Sequence, residues 1–258
     1  MSVPDDASAQ FTRLDSLTSV GPTELARLYA YPPDLTRCWV RANMIVSVDG
    51  GATVDGRAGG LAGPGDRMLF NVLREIADVV LVGAGTVRTE NYSGAQLGIA
   101  ARQSRQARGQ AEIPPIAVVT ASGALDPDSR LFMRSETQPL IFTTNASFGA
   151  TRDRLVGAAE VVDASTTDPI VVDPTAVLAQ LARRGLHRVL CEGGPTLLGD
   201  IVALDLLDEL ALTMAPLLVA GGAPRMVTSR VARASDLRPA HILTDEQGYL
   251  YMRYTRTA

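Results

Sequence analysis

Val79-Val80-Leu81-Val82-Gly83-Ala84-Gly85-Thr86 runs a four-residue apolar strand straight into a glycine-rich turn. A short apolar run bounded by turn residues reads as a strand buried on both faces. Before it, Gly65 to Ala77 carries a helical stripe of Leu69, Val72, Leu73 and Ile76 opposite Arg67, Asn71, Arg74 and Glu75. After it come further strand runs, Ile116 to Val119 and Leu140 to Thr143, then a helix near Thr175 to Arg184. Arg188-Val189-Leu190-Cys191 repeats the opening pattern, for it enters Glu192-Gly193-Gly194-Pro195-Thr196 and a helix from Pro195 to about Leu204. Strands alternating with helices give βαβ units and a mainly parallel sheet with helices on both faces. The end differs. Glu209 to Leu218 reads as a long apolar strand, and His241 to Thr244 with Gly248 to Tyr254 flank the turn signal Asp245-Glu246-Gln247-Gly248, adding antiparallel members. Trp39 to Val48 is the first strand. Ahead of it, residues 1–37 read as an N-terminal arm, a polar tail and a short helix from Pro22 to Tyr29 stopped by Pro32-Pro33; 38–258 read as one domain.

Composition removes several function classes. The chain has 258 residues, 46% hydrophobic and 20% charged, and a net charge of -4, so it lacks the basic field that holds a nucleic acid. No apolar run approaches the roughly 18 residues of a membrane span, and Asp5 and Asp6 stand where a signal peptide carries basic residues; the expectation is a cytoplasmic protein. All 24 basic residues are arginine. With no lysine there is no Schiff base to pyridoxal phosphate and no phosphate-binding Walker lysine. Cys38 and Cys191 lie far apart without a CxxC, and the only histidines are His187 and His241, so no Cys/His zinc cluster and no metal is expected.

What remains is chemistry of carboxylates, hydroxyls, arginines and backbone. Ligands of open α/β sheets sit outside the carboxyl ends of the strands. Both glycine turns fall there, and bare backbone at a helix N-terminus suits a phosphate or pyrophosphate; glycine at either place also permits a tight turn. In the first strand, Val40, Ala42, Met44, Val46 and Val48 share a core face, while Trp39, Arg41, Asn43, Ile45 and Ser47 share a half-polar one. Asn43 and Ser47 therefore either bond neighbouring backbone or line a cleft. Asp66 stands on the apolar side of its helix beside Leu69, Phe70 and Leu73. It either complements the helix N-terminus or forms the acidic floor of a pocket for an amidine-like heterocycle. Arg102, Arg105 and Arg108 suggest an anion clamp, with a solvated helix face as the simpler alternative.

Asn43-Met44-Ile45-Val46-Ser47-Val48-Asp49-Gly50, Val82 to Thr86, Glu192 to Thr196, Asp208-Glu209-Leu210 and Ala215-Pro216 occur in an order and spacing that resembles the reductase domain of the riboflavin-biosynthesis deaminase/reductase, over about Trp39 to Tyr254. The resemblance implies a dihydrofolate-reductase-like α/β fold, NADPH as hydride donor, a pterin or pyrimidine substrate and a homodimer. By the same carry-over, Gly83, Ala84, Gly85 and Thr86 with Glu192, Gly193, Gly194, Pro195 and Thr196 hold pyrophosphate and ribose. Ala52 and Thr53 neighbour the nicotinamide, and Thr120 and Ser122 bind the adenosine 2′-phosphate. Asn43 and Ser47 bind the substrate ring edge, and Asp66 is the catalytic and ring-holding acid. Two departures lean toward a pterin without a phosphate tail. In the stretch from Val87-Arg88 to Gly98 no arginine stands at the place where the family grips a ribose phosphate, and Asp66 stands where dihydrofolate reductases carry their pterin-binding carboxylate. The zinc-deaminase signature is absent from these residues, so a bifunctional enzyme is not expected. The expected activity is thus of dihydrofolate reductase type, with reduction of 5-amino-6-(5-phosphoribosylamino)uracil as the alternative and a non-catalytic NADPH sensor as the rival outside enzymes.

Overall fold

A computed structural model describes residues 20–257. The polar tail ahead of Val20 lies outside the described residues. Helix α1 (Pro22–Leu28) precedes β1 (Trp39–Ser47), α2 (Pro64–Ile76), β2 (Val79–Gly83), α3 (Ala84–Thr89) and α4 (Ile99–Ala107). Then follow β3 (Ile116–Val119), α5 (Arg130–Met133), β4 (Leu140–Thr143), α6 (Asn145–Arg154), β5 (Glu160–Asp163) and α7 (Pro174–Arg183). The chain closes with β6 (Arg188–Cys191), α8 (Pro195–Ala203), β7 (Glu209–Ala215), β8 (Leu237–Thr244) and β9 (Leu250–Arg256). All nine strands form one sheet in the order β5-β4-β3-β2-β6-β1-β7-β9-β8. Every pairing from β5 to β7 is parallel, and β9 runs antiparallel to both β7 and β8. This is the mainly parallel α/β sheet with an antiparallel C-terminal end that the alternation predicts.

Two apolar cores lie on opposite faces, sorted by the period of two along each strand. On one face Val80, Val82, Val118, Ile141, Leu190 and Ala211 pack against Leu69, Val72, Leu73 and Ile76 of α2 and against Leu25 and Tyr29. On the other, Val40, Ala42, Val79, Leu81, Ala117 and Phe142 pack against Val177 and Leu181 of α7 and Leu197, Leu198 and Ile201 of α8. Burying one aliphatic side chain of this kind contributes about 1.5–3 kcal/mol, so the face of α2 that carries Asp66 is fixed by its neighbours rather than by the acid.

Several expectations need correction. β1 stops at Ser47, and Val48, assigned to the core face, is 55% exposed because the chain turns there. The strand from Glu209 stops at Ala215, since Pro216 has no N–H for a ladder; Leu217 and Leu218 are exposed. Arg105 is neither an anion clamp nor solvated: it is fully buried and donates to the carbonyls of Glu75, Ala77 and Ala111, closing the C-terminal end of α2. Helices α3, α5 and α6 and strand β5 escaped the sequence reading. The polar face of β1 is covered as well: Arg41 is fully buried, paired with Glu209 at 2.5 Å and lying 4.0 Å over the Tyr31 ring.

Candidate active site

At the carboxyl ends of β6, β2 and β3 the two glycine turns meet. Gly83 donates its N–H to the Gly193 carbonyl at 2.7 Å, and a Cβ on Gly194 would stand 2.6 Å from Thr86 Oγ1. Gly194 is therefore glycine first because two turns touch. Gly85 differs, for a Cβ there would meet nothing within 4 Å, and the residue lines an open cleft of about 690 Å³. Helices α3 and α8 begin from Gly83 and Gly194 with no side chain capping either N-terminus. Their first N–H groups are left for a ligand. Ala52, Thr53, Gly83, Ala84, Gly85, Thr86, Thr120, Ser122, Glu192, Gly194, Pro195 and Thr196 all line this cleft. Gly193 does not; it takes φ +78 beneath, against Met44.

A second cavity of about 370 Å³ opens beside the cleft, and the two share Met44, Ala52, Ala58, Thr86, Glu90 and Glu192. Asn43, Ile45, Gly59, Ala62, Asp66, Arg67, Phe70 and Tyr92 complete its wall, and the Arg67 charge works against the burial of Asp66. Gly63 and Pro64 start α2 so that Asp66 falls in its first turn, and the buried stripe of the same helix turns that carboxyl inward. Burial raises the Asp66 pKa; Thr213 of β7, whose buried hydroxyl makes no hydrogen bond of ordinary geometry, faces it and offsets part of the shift. No cation is within salt-bridge distance of Asp66 among the described residues. Glu192 is the opposite case. Arg74 Nε and Nη2 donate to its two oxygens at 2.8 and 2.7 Å, and the Tyr92 hydroxyl donates at 2.5 Å. Burial and the Glu192 carboxylate push the Tyr92 pKa well above its ordinary value. Burial works against the Arg74 cation, but Glu192 more than offsets this and its pKa rises.

Two assigned hydroxyls prove to be committed elsewhere. Ser47 is fully buried and faces neither cavity; its Oγ donates to Asp49 at 2.5 Å and accepts from Gly51 N–H at 2.9 Å, closing the turn after β1. Asp49, held by Ser47 and by the N–H groups of Ala220 and Val219, is pulled down to about 2 and ties the chain after β7 to that turn. Ser47 thus leaves the substrate set. Thr120 is buried, with its Oγ1 accepting from Gly123 N–H at 3.1 Å, while Ser122 stays exposed at the rim and accepts from Ala124 N–H at 3.3 Å. Sequence reasoning missed Arg74, Tyr92 and Glu90. Tyr92 and Arg74 carry no local pattern, because their partner Glu192 is remote in sequence; Glu90 Oε1 accepts from Ala58 N–H at 2.7 Å across a gap of 32 residues.

A model of the RibD C-terminal domain matches residues 38–251, the whole span from β1 into β9. The chain belongs to the RibD C-terminal domain family. Among its curated relatives, the 2,5-diamino-6-ribosylamino-4(3H)-pyrimidinone 5′-phosphate reductase of Aquifex aeolicus is 30% identical over 183 residues, 68% of this chain and 75% of that one. The enzyme of the same name from Archaeoglobus fulgidus is 25% identical over 186 residues, 72% of this chain and 83% of the relative. The crystal structure of a pyrimidine reductase-like protein from Corynebacterium diphtheriae superposes with a TM-score of 0.80 at 26% identity, covering 91% of this chain and 98% of that one. This RibD C-terminal domain protein is therefore an oxidoreductase of the riboflavin-biosynthesis reductase group, and the lean toward dihydrofolate reductase gives way to that group. Asp66 fails to separate the two readings because a 2-amino-4-oxopyrimidine edge, with an amino group beside a ring nitrogen, is common to pterins and to the diaminopyrimidinones named for these relatives. Among the described residues no helix is long and apolar enough to cross a membrane, and no group of His, Cys, Asp and Glu is placed to hold a metal ion.

Proposed function

We propose that this chain is an NADPH-dependent reductase of a 2-amino-4-oxopyrimidine that carries a ribosylamino group. The observation that carries it is the half-buried Asp66 carboxyl, without a salt-bridge partner among the described residues, in a cavity that opens directly into the glycine-lined cleft. The cleft residues fit a dinucleotide. Two helix N-termini without side-chain caps begin at the cleft, and Gly85 leaves room that a Cβ would fill. A bound nicotinamide would supply the hydride. Ala52 and Met44, shared by both cavities, would set nicotinamide and substrate in contact, and proximity of this kind contributes much of the barrier reduction.

Asp66 pairs with the amino group and adjacent ring nitrogen, two donors side by side, and fixes the ring by charge-assisted hydrogen bonds. A uracil edge offers only one N–H beside an acceptor carbonyl, so the diamino ring is favoured by about 1–3 kcal/mol. Asn43 reaches the same ring from β1, while Phe70, Ile45 and Met44 cover it and exclude water. The ribosylamino group opens to an imine; hydride adds to its carbon, a proton to its nitrogen, and a ribitylamine results. NADPH oxidation followed with purified protein tests this against the diaminopyrimidinone phosphate, its deaminated uracil analogue and dihydrofolate in parallel. The reading expects turnover fastest with the diamino compound. Turnover with dihydrofolate alone would restore the pterin reading, and NADPH consumption with none of the three would overturn the enzyme.

A further inference from the structure

Eight buried side-chain nitrogens and oxygens lack a hydrogen-bond partner among the described residues, and five of them lie together beneath the N-terminal arm. They are Arg41 Nη1 and Nη2, the Tyr29 and Tyr31 hydroxyls and His241 Nε2. The Arg41 guanidinium carbon stands 4.0 Å from the centre of the Tyr31 ring and 5.9 Å from that of Tyr29. The His241 ring meets Tyr29 edge-on, with 4.8 Å between centres. Three parts of the chain bring these groups together. Arg41 is on β1, Tyr29 and Tyr31 follow α1, and His241 stands on β8 opposite Arg253 of β9. Arg253 holds the arm in place by donating to the Leu28 and Ala30 carbonyls.

Charge is out of balance at the same place. Among the described residues Glu209 is the one carboxylate within 4 Å of either arginine. It accepts from Arg41 Nε and from Arg253 Nε and Nη2, so two cations share one anion. The neighbouring Asp78 gives no relief, since Arg188 pairs with it at 3.2 Å. Burial raises the pKa of Tyr29 and of Tyr31, so both phenols keep their protons and neither is a counter-charge. Burial, and after it Arg253, lowers the pKa of His241, so that ring adds no charge either. A fully buried guanidinium whose terminal N–H groups meet no acceptor is costly. Water accepts from such donors but leaves the charge in place, whereas an anion answers both. We propose that Arg41, Tyr31 and Tyr29, with His241 at the edge, bind a small monovalent anion of chloride size between the arm and the sheet. A spherical anion accepts hydrogen bonds from any direction, so it suits donors drawn from separate elements. Tyr29 and Tyr31 lie ahead of residues 38–251, the segment that the family model matches, and neither they nor Arg41 line the cleft or the inner pocket. The site therefore belongs to this chain's arm and does not depend on the identity of the substrate.

Equilibrium urea unfolding of the whole chain, approached from the folded and the unfolded side in sodium chloride, bromide or gluconate at one ionic strength, tests it. Chloride and bromide should raise the midpoint as their concentration rises, because an ion that binds only the folded state stabilises it by mass action. Gluconate, too large for an enclosed site, should not. Tyr29→Phe and Tyr31→Phe keep the rings beside Arg41 and remove one donor each, so each should weaken the apparent chloride affinity by about fivefold. Arg41→Gln should abolish the response, and since losing that side chain endangers the fold, the two phenylalanine variants carry the test without it. Crystals grown in bromide should show anomalous density between Arg41 and the two tyrosines. Equal midpoints in chloride and gluconate would overturn the site. So would a halide response that survives undiminished in both phenylalanine variants, or an ordered water where the bromide is expected.

Discussion

The outer cleft and the inner pocket share six wall residues yet are made of different material. The cleft centres on two glycine turns and two uncapped helix starts with a hydroxyl at the rim, and its charged wall residues are Arg88, Glu90, Glu192 and Asp200. The pocket is side chain and charge, with one carboxylate locked between Arg74 and Tyr92 and another left unpaired. Under the proposed function the cleft takes a phosphate by shape and N–H dipoles, whereas the pocket discriminates by the donor pattern of a ring. The same difference separates the two acids. A carboxylate with three donors is a piece of wall, and one with none is a place for a ligand.

Glu192→Gln should produce the largest effect, because it leaves the Arg74 cation buried without its charge partner. The expected loss is about 3–5 kcal/mol of stability, read from chemical denaturation, with activity falling alongside. A variant as stable as wild type would show that Glu192 is available after all. Asp66→Asn comes next, with kcat/KM expected to fall by about two orders of magnitude while NADPH affinity stays unchanged. Diaminopteridine-type ligands, which present two donors to a carboxylate, should lose affinity in the same variant. Steady-state kinetics with full activity would return Asp66 to a helix-end role.

Gly85→Val sharpens the cleft side. The position is open, so the fold should survive with at most about 1 kcal/mol lost, while the added side chain obstructs the cleft and weakens NADPH by about tenfold or more by titration. Gly194→Ala is the control: it meets Thr86 Oγ1, should destabilise the fold, and should be relieved by Thr86→Ala. If Gly85→Val binds NADPH normally, the glycine turns exist only for each other.

The smallest effect is one of sign. Burial raises the Asp66 pKa, so the folded protein holds a proton that the unfolded chain has already released. Its contribution to stability is then full below the ordinary carboxylate range and is lost as pH rises through the raised value. Asp66→Asn should therefore melt slightly higher than wild type at neutral pH, and the gap should close in acid. A variant that melts lower at neutral pH would support the helix-end role, in which the carboxylate helps the fold.

What sequence could say about these two regions follows from the range of the interactions. Strands β1, β2, β3, β4 and β6 announce themselves in a few consecutive apolar residues, and both glycine turns sit directly at strand ends, so the cleft was readable. Asp66 was readable because it interrupts an apolar helical stripe. The hydroxyls were not, since Ser47 and Thr120 each found an N–H three or four residues away, and nothing in composition tells a local partner from a ligand. The Arg74–Glu192–Tyr92 cluster joins residues 118 and 100 apart, which no local pattern records. Helix α3 was hidden by the glycines that make it useful.

Strand β1 lies between β6 and β7 at the heart of the sheet, and its buried Arg41 finds Glu209 only 168 residues later in the chain. Glu209 is shared with Arg253 of β9, which also donates to the Leu28 carbonyl just after α1. As the chain is synthesised, the first strand must wait, its guanidinium without a counter-charge, until β7 is made. Such long-range closure slows folding, and a nascent chain halted before Glu209 would expose the β1 edge to any strand that came by.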